Sequence, residues 1–183
     1  EFTKRISDIV GGLLGTSFFI TIFPLVAIAI LLDSGRPVMY LQSRLGKFGK
    51  KYTIYKFRTM KTNADENSIM PTVENDQRIT RIGNLLRKTH MDELPQFINI
   101  LSGEMSLVGP RAERLELVNT FQKHVLFYRA RLLVKPGLNG WAQVNQRYSS
   151  TVEETITKWE YKLYYKEQRK ILFDFVILVR AIG

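Results

Sequence analysis

Asp92 and Glu93 are adjacent carboxylates in the stretch Arg87-Lys88-Thr89-His90-Met91-Asp92-Glu93-Leu94-Pro95-Gln96, and Arg111 follows in Pro110-Arg111. An ionised carboxylate can attack phosphorus or hold a divalent cation, while guanidiniums grip phosphate oxygens in pairs. Acids flanked by Arg87 and Arg111 therefore suggest chemistry on a phosphorylated substrate. Thr89-x-x-Asp92 has the cap-and-acid spacing of a helix start, and Pro95 suits a first turn. Backbone N–H groups at such a start favour phosphate. Successive helical residues point about 100° apart, so one acid can face phosphorus while the other faces a metal. The bland alternative is that the acids only complement the helix dipole, worth about 0.3–1 kcal/mol each. The arginines on either side favour the chemical reading.

These residues need a scaffold and a location. At 183 residues, with 45% hydrophobic and 24% charged residues, the chain fits one folded domain. The net charge of +10 points to anionic partners, whether nucleic acid, acidic lipid or phosphorylated small molecules. No cysteine is present, which excludes disulfides, zinc-thiolate sites and a thiol nucleophile, and His90 and His124 are too few for a histidine metal site. Gly11 to Leu32 is 22 residues without a charge, long enough to cross a bilayer. Lys4 and Arg5 precede it and the basic body follows, so both ends favour the cytoplasmic side. Pro24 near its middle removes an N–H and kinks a helix. A helix that enters, bends at Phe23-Pro24 and returns satisfies these features, with Ser17 or Thr21 serving freed backbone groups. A spanning helix and a buried soluble helix are the alternatives.

Along the remainder, Pro37–Leu41 and Tyr52–Phe57 around Gly46 and Gly49 read as a β-hairpin. Lys61–Asp76 is polar, without a period, and reads as a loop. Ile79–Leu86 has helical spacing, and Leu94, Phe97, Ile98 and Leu101 form an amphipathic helix stopped by Gly103. Glu113–Arg131 reads as a further helix, Pro136–Gly140 as a loop, and Val152, Ile156, Trp159 and Leu163 as the stripe of a later helix. Ile171–Ile182 is apolar nearly all round except for Asp174 and Arg180, which suits a core or a bilayer interface.

Four motifs, in order, resemble the bacterial sugar transferases, the monotopic phosphoglycosyl transferases: Tyr55-Lys56-Phe57-Arg58-Thr59-Met60, Asp92-Glu93-Leu94-Pro95-Gln96, Met105-Ser106-Leu107-Val108-Gly109-Pro110-Arg111, and Pro136–Asn145. The resemblance covers nearly the whole chain. It implies a helix-rich α/β catalytic domain (36–183) with C-terminal interfacial helices, on the cytoplasmic face of the bacterial inner membrane, anchored by a kinked re-entrant helix (1–35). The implied reaction moves a sugar-1-phosphate from a nucleoside diphosphate sugar, by family habit a UDP-sugar, to polyprenol (undecaprenyl) phosphate, and releases a nucleoside monophosphate. Asp92 would attack the sugar-bearing phosphorus to give a covalent phosphosugar-enzyme, with Glu93 assisting and both acids near Mg2+. Lys56, Arg58, Arg87, Arg111, Gln143 and Arg147 would bind substrate, Lys56 and Arg58 facing either the active site or lipid headgroups. Trp141 is read as a core or interface residue ahead of a base-stacking one.

Two positions depart from the family pattern: Lys162 stands where relatives carry an acid before Leu-Tyr-Tyr, leaving Asp174 as the acid farther on, and Gln146 where relatives often have glycine. The family includes larger members with extra N-terminal membrane helices and a soluble module; a chain beginning at Glu1 would be the catalytic part of one. The runner-up is a metal-dependent phosphodiesterase that activates water with the same acids. A non-enzymatic basic anchor leaves the ordered dyad without a role, and no nucleic-acid motif is present, so no nucleic-acid partner is expected. Self-association as a homo-oligomer is left open, as are the sugar and the glycan being built.

Overall fold

The structure is a computed structural model that describes residues 2–62, 76–122, 128–145, 161, 164–165 and 171–182. It mixes helices with two small two-stranded sheets. In chain order the elements are α1 (Phe2–Ser34), β1 (Met39–Leu45), β2 (Lys51–Phe57), α2 (Arg81–Lys88), a 3₁₀ turn (Met91–Glu93), α3 (Gln96–Ser102), β3 (Ser106–Val108), α4 (Leu115–Phe121), a 3₁₀ segment (Tyr128–Leu133), β4 (Gly137–Asn139), α5 (Trp141–Asn145) and α6 (Ile171–Ile182).

α1 is long and apolar enough to cross a membrane. It lies along the rest of the protein from one end to the other. At its start, Arg5 donates to Ile100 O and Leu101 O, closing the C-terminal end of α3. Asp8, buried, accepts from Ser106 Oγ and Leu107 N. Gly15 then admits α3: a Cβ there would stand 2.3 Å from the Phe97 ring. Farther on, Phe19 and Phe23 meet the buried Phe57 of β2 at ring distances of 5.7 and 5.9 Å. Burying a ring such as Phe57 contributes roughly 1.5–3 kcal/mol. The opposite face of α1 is exposed and apolar, with Leu14 70%, Leu25 73% and Leu32 84% accessible. Thr21 Oγ1 donates back to Ser17 O, so it does not serve the Ile20 carbonyl that Pro24 leaves without a donor.

The far end of α1 holds α2 in place. Asp33 accepts from Ile82 N while Thr80, the N-cap, accepts from Gly83 N, which satisfies two of the helix's orphan donors. Arg58 closes the same junction. Its guanidinium is buried and donates to Arg36 O, Ser34 O, Ser34 Oγ and Gly35 O. It therefore stands at the end of α1 and outside the acidic cluster, contrary to the expected substrate-binding position. Replacing it with Met removes its hydrogen bonds to three backbone carbonyls and the Ser34 hydroxyl. The variant is expected to lose about 3 kcal/mol of stability, seen as a lowered unfolding midpoint in detergent, with the KM of the folded fraction unchanged.

The hairpin forms as expected, β1 and β2 pairing antiparallel from Met39↔Phe57 to Leu45↔Lys51. Helices are found at α2, α3 and α6, and α3 stops at Gly103 in the left-handed region. Three expectations change. The single helix expected over Glu113–Arg131 is α4 followed by the 3₁₀ segment, because buried Arg131 turns inward to Glu113, the Tyr128 hydroxyl and Arg111 O. Pro136–Gly140, expected as a loop, contains β4, parallel to β3. The helix start expected at Thr89 is the end of α2, where the Thr89 hydroxyl donates to Leu85 O and Leu86 O. Nearly all of the expected Lys61–Asp76 loop and the Val152–Leu163 stripe lie outside the described residues, as do Lys162, Gln146 and Arg147.

Candidate active site

The dyad occupies the 3₁₀ turn between α2 and α3, entered through His90 in the left-handed conformation (φ 56°). The N–H groups of Glu93, Leu94, Phe97 and Ile98 already donate to His90, Met91, Leu94 and Pro95 carbonyls. The expected phosphate cradle of helix N–H groups is thus replaced by side-chain cations.

Three segments bring cations to it. β2 supplies Lys56, whose Nζ lies 2.5 Å from Glu93 Oε1 and 3.9 Å from Asp92 Oδ2. The loop after β3 supplies Arg111, half exposed, with Nη2 2.9 Å from the same Oε1. The last turn of α2 supplies Arg87, whose Nε donates to Thr59 Oγ1 at 2.8 Å and whose charge acts on Asp92. So Lys56, Arg87, Arg111, Asp92 and Glu93 converge as expected. Gln143 Nε2 donates to Leu138 O of β4.

Two local features set this geometry. Asn99, fully buried in α3, accepts from Tyr55 N and donates to Thr53 O and Glu104 Oε2, which fixes the strand bearing Lys56 to the helix that follows the dyad. Its signal was present in the sequence, an amide among apolar positions of α3, but it pointed to no chemistry. Arg111 is presented by a crossing of two glycines. A Cβ on Gly109 would stand 2.5 Å from Lys135 O, and one on Gly137 would stand 2.0 Å from Gly109 N. Only glycine at both allows Arg111 to bridge to Gly137 and reach Glu93.

The electrostatics separate the acids. Burial pushes the Asp92 carboxyl above its ordinary range, opposed by the nearby Lys56. Burial acts on Glu93 in the same direction, but Arg111 and Lys56 outweigh it and hold Glu93 well below the carboxylate range. Glu93 is a permanently charged ballast between two cations. Asp92, which Lys56 approaches only to 3.9 Å and on which Arg87 and Arg111 act more weakly, keeps a reactive electron pair.

The residues suit a magnesium ion. Mg2+ needs only one or two protein carboxylates when substrate phosphates complete its shell. Both cation hydrogen bonds to Glu93 end on Oε1, so Oε2 and Asp92 are the oxygens a metal would use. Among the described residues no set of three or more acidic or histidine ligands assembles.

Asp174, the acid farther along, takes no part in this cluster. It pairs with Lys4 of α1 and accepts from the Tyr165 hydroxyl. Trp141 packs on Phe173 at 4.9 Å, with the Arg180 guanidinium over its ring, in keeping with a packing role.

The structure joins a helix of membrane-crossing length to a small α/β body in which Lys56 and Arg111 grip Glu93 beside Asp92. The chain belongs to the bacterial sugar transferase family, whose profile matches residues 1–183. It is 39% identical over 181 residues to a UDP-N-acetylgalactosamine-undecaprenyl-phosphate N-acetylgalactosaminephosphotransferase of Aeromonas hydrophila, covering 99% of this chain and 43% of that protein. It is 38% identical over 184 residues to a UDP-glucose:undecaprenyl-phosphate glucose-1-phosphate transferase of Escherichia coli K12, covering 98% and 39%. It is also 41% identical over 145 residues to the exopolysaccharide production protein PSS of Rhizobium leguminosarum bv. phaseoli, covering 77% and 72%. The chain thus spans less than half the length of the first two relatives.

Proposed function

We propose that this chain transfers a sugar-1-phosphate from a nucleoside diphosphate sugar, of the UDP type named for its relatives, to polyprenol phosphate. The observation that carries the proposal is the unequal pair: Glu93 neutralised by Lys56 and Arg111, Asp92 buried beside it with a raised affinity for protons. An Asp92 oxygen attacks the sugar-bearing phosphorus, and the bond from that phosphorus to the bridging oxygen breaks. The nucleoside monophosphate leaves with that oxygen. A phosphate oxygen of the polyprenol phosphate then attacks the same phosphorus and restores the Asp92 carboxylate. Two displacements let a water-soluble donor depart before a lipid acceptor arrives. Lys56, Arg87 and Arg111 counter the phosphate charge; Asp92 and Glu93 would hold Mg2+, which when bound would supply further positive charge for the departing phosphate. Release of UMP from a UDP-sugar, dependent on both magnesium and undecaprenyl phosphate beyond the first turnover, is the expected result. Continuous release without acceptor would indicate hydrolysis and overturn the transfer.

The anchor is read as entering and leaving on the cytoplasmic face of the inner membrane. Both ends of α1 are tied by polar bonds to one body, through Arg5 and Asp8 at the start and through Asp33 and Ser34 at the end. A straight crossing would need that one body to reach both sides of roughly 30 Å of hydrocarbon. Because the chain has no cysteine, Thr3→Cys and Arg36→Cys give clean reporters. Both are expected to react with an impermeant maleimide in inside-out vesicles and neither in intact spheroplasts. Labelling from opposite sides would mean that α1 spans.

A further inference from the structure

Three buried polar residues, Asp92, Gln96 and Asn99, are 7%, 2% and 0% exposed. Leu94 and Pro95 keep right-handed helical dihedrals between the 3₁₀ turn and α3, so the spacing i, i+4, i+7 sets the three in one row. Asn99, at the far end, is bonded through both its oxygen and its nitrogen, to Tyr55 N, Thr53 O and Glu104 Oε2. Gln96, in the middle, differs: its Nε2 is buried with no acceptor among the described residues. Asp92 has the complementary lack. Lys56 Nζ stops 3.9 Å from Asp92 Oδ2, beyond hydrogen-bond reach, and the carboxylate is met by charges at a distance and by no hydrogen bond among the described residues. An unpaired buried donor is costly, and native proteins keep few of them. Long side chains on a helix lean toward its N-terminus, which carries the Gln96 amide toward Asp92 and away from Asn99. Glutamine and aspartate four residues apart on a helix are a hydrogen-bonding pair.

We infer that Gln96 is a positioning residue for Asp92: in the reacting state its amide N–H donates to one oxygen of the carboxylate and leaves the other to face phosphorus. A neutral donor suits this task. It fixes the plane of the carboxylate, whereas a cation at the same place would hold the attacking electron pair back. Asn99 keeps α3 fixed against β2 while the Gln96 side chain moves. The role rests on Asp92 being the attacking residue, so the test must separate failure of the one from failure of the other.

Gln96→Met fills the same volume without a donor. Measured as UMP release from the UDP-sugar with Mg2+ and undecaprenyl phosphate, its kcat is expected to fall about 10–10²-fold, the scale of a misplaced reacting group. The donor KM should change little, as for an interaction made only in the transition state. Its unfolding midpoint should be unchanged or raised, because an orphan amide leaves the interior. Gln96→Glu keeps the shape but offers an acceptor in place of the donor, and it should lose at least as much kcat. A midpoint that falls together with kcat in Gln96→Met would make Gln96 a packing residue and overturn its role. Wild-type kcat in either variant, with Asp92→Asn inactive, would overturn it as well and leave Asp92 untouched. Normal turnover by Asp92→Asn would instead remove the nucleophile, and the role of Gln96 with it.

Discussion

Asp92→Asn is expected to lower kcat by about 10³-fold or more and, at neutral pH, to raise the unfolding midpoint. The first effect follows from the loss of the oxygen that bonds to phosphorus, since an amide is no nucleophile at this pH. The second follows from linkage. Burial raises the folded-state affinity of Asp92 for its proton, so the folded protein binds more protons than the unfolded one between the ordinary carboxylate value, about 4, and the higher folded value. Stability therefore falls as pH rises through that window. The neutral amide avoids this cost. Melts at pH 7.5 should favour the variant, and the difference should shrink as the pH falls through that window toward the ordinary carboxylate range. A variant that is less stable at both pH values would mean that the ionised carboxylate is well compensated and poorly placed to react.

Lys56→Met carries the second large effect. Lys56 touches Glu93 at 2.5 Å and stands 3.9 Å from Asp92, and its charge works against the burial that raises the Asp92 value. Removing it leaves Glu93 with Arg111 alone and takes one cation from the developing phosphate charge. The expected loss in kcat/KM is about 10²–10³-fold, the scale seen when one electrostatic stabiliser is deleted. The sign of the pH effect is fixed. With Lys56 gone, the Asp92 value rises further, so the acidic limb of the kcat/KM profile moves to higher pH. A slower enzyme with an unmoved limb would show that Lys56 meets substrate without setting the state of Asp92.

Much of this was legible in the residues. The hairpin, α2, α3 with its Gly103 stop, and α6 all carry local signals of period or turn chemistry, and the cluster of Lys56, Arg87, Arg111, Asp92 and Glu93 is found where the motifs put it. The misplaced helix start at Thr89 has a local cause: a threonine three residues before an acid fits a cap, but the same hydroxyl can close the preceding helix, and α2 ends there. The 3₁₀ break near Tyr128 and the short β4 depend on partners far away in sequence, Arg131 with Arg111 and Gly137 with Ser106, which no window of sequence contains. Arg58 was drawn toward the site by Lys56 two residues before it, yet β2 ends at Phe57, and the Arg58 guanidinium meets the end of α1. The tethers of Lys4 to Tyr165 and Asp174 and of Asp8 to Ser106 link residues more than 90 positions apart and leave no periodic trace.

The central claim is that Asp92 bonds covalently to the sugar phosphate. Intact-protein and peptide mass spectrometry after rapid acid quench, with donor present and acceptor omitted, tests it most directly. The expected result is a mass increase of one sugar-phosphate, located on the peptide containing Asp92, absent in Asp92→Asn and lost on adding undecaprenyl phosphate. An unmodified protein at quench while acceptor-dependent product forms normally would contradict it.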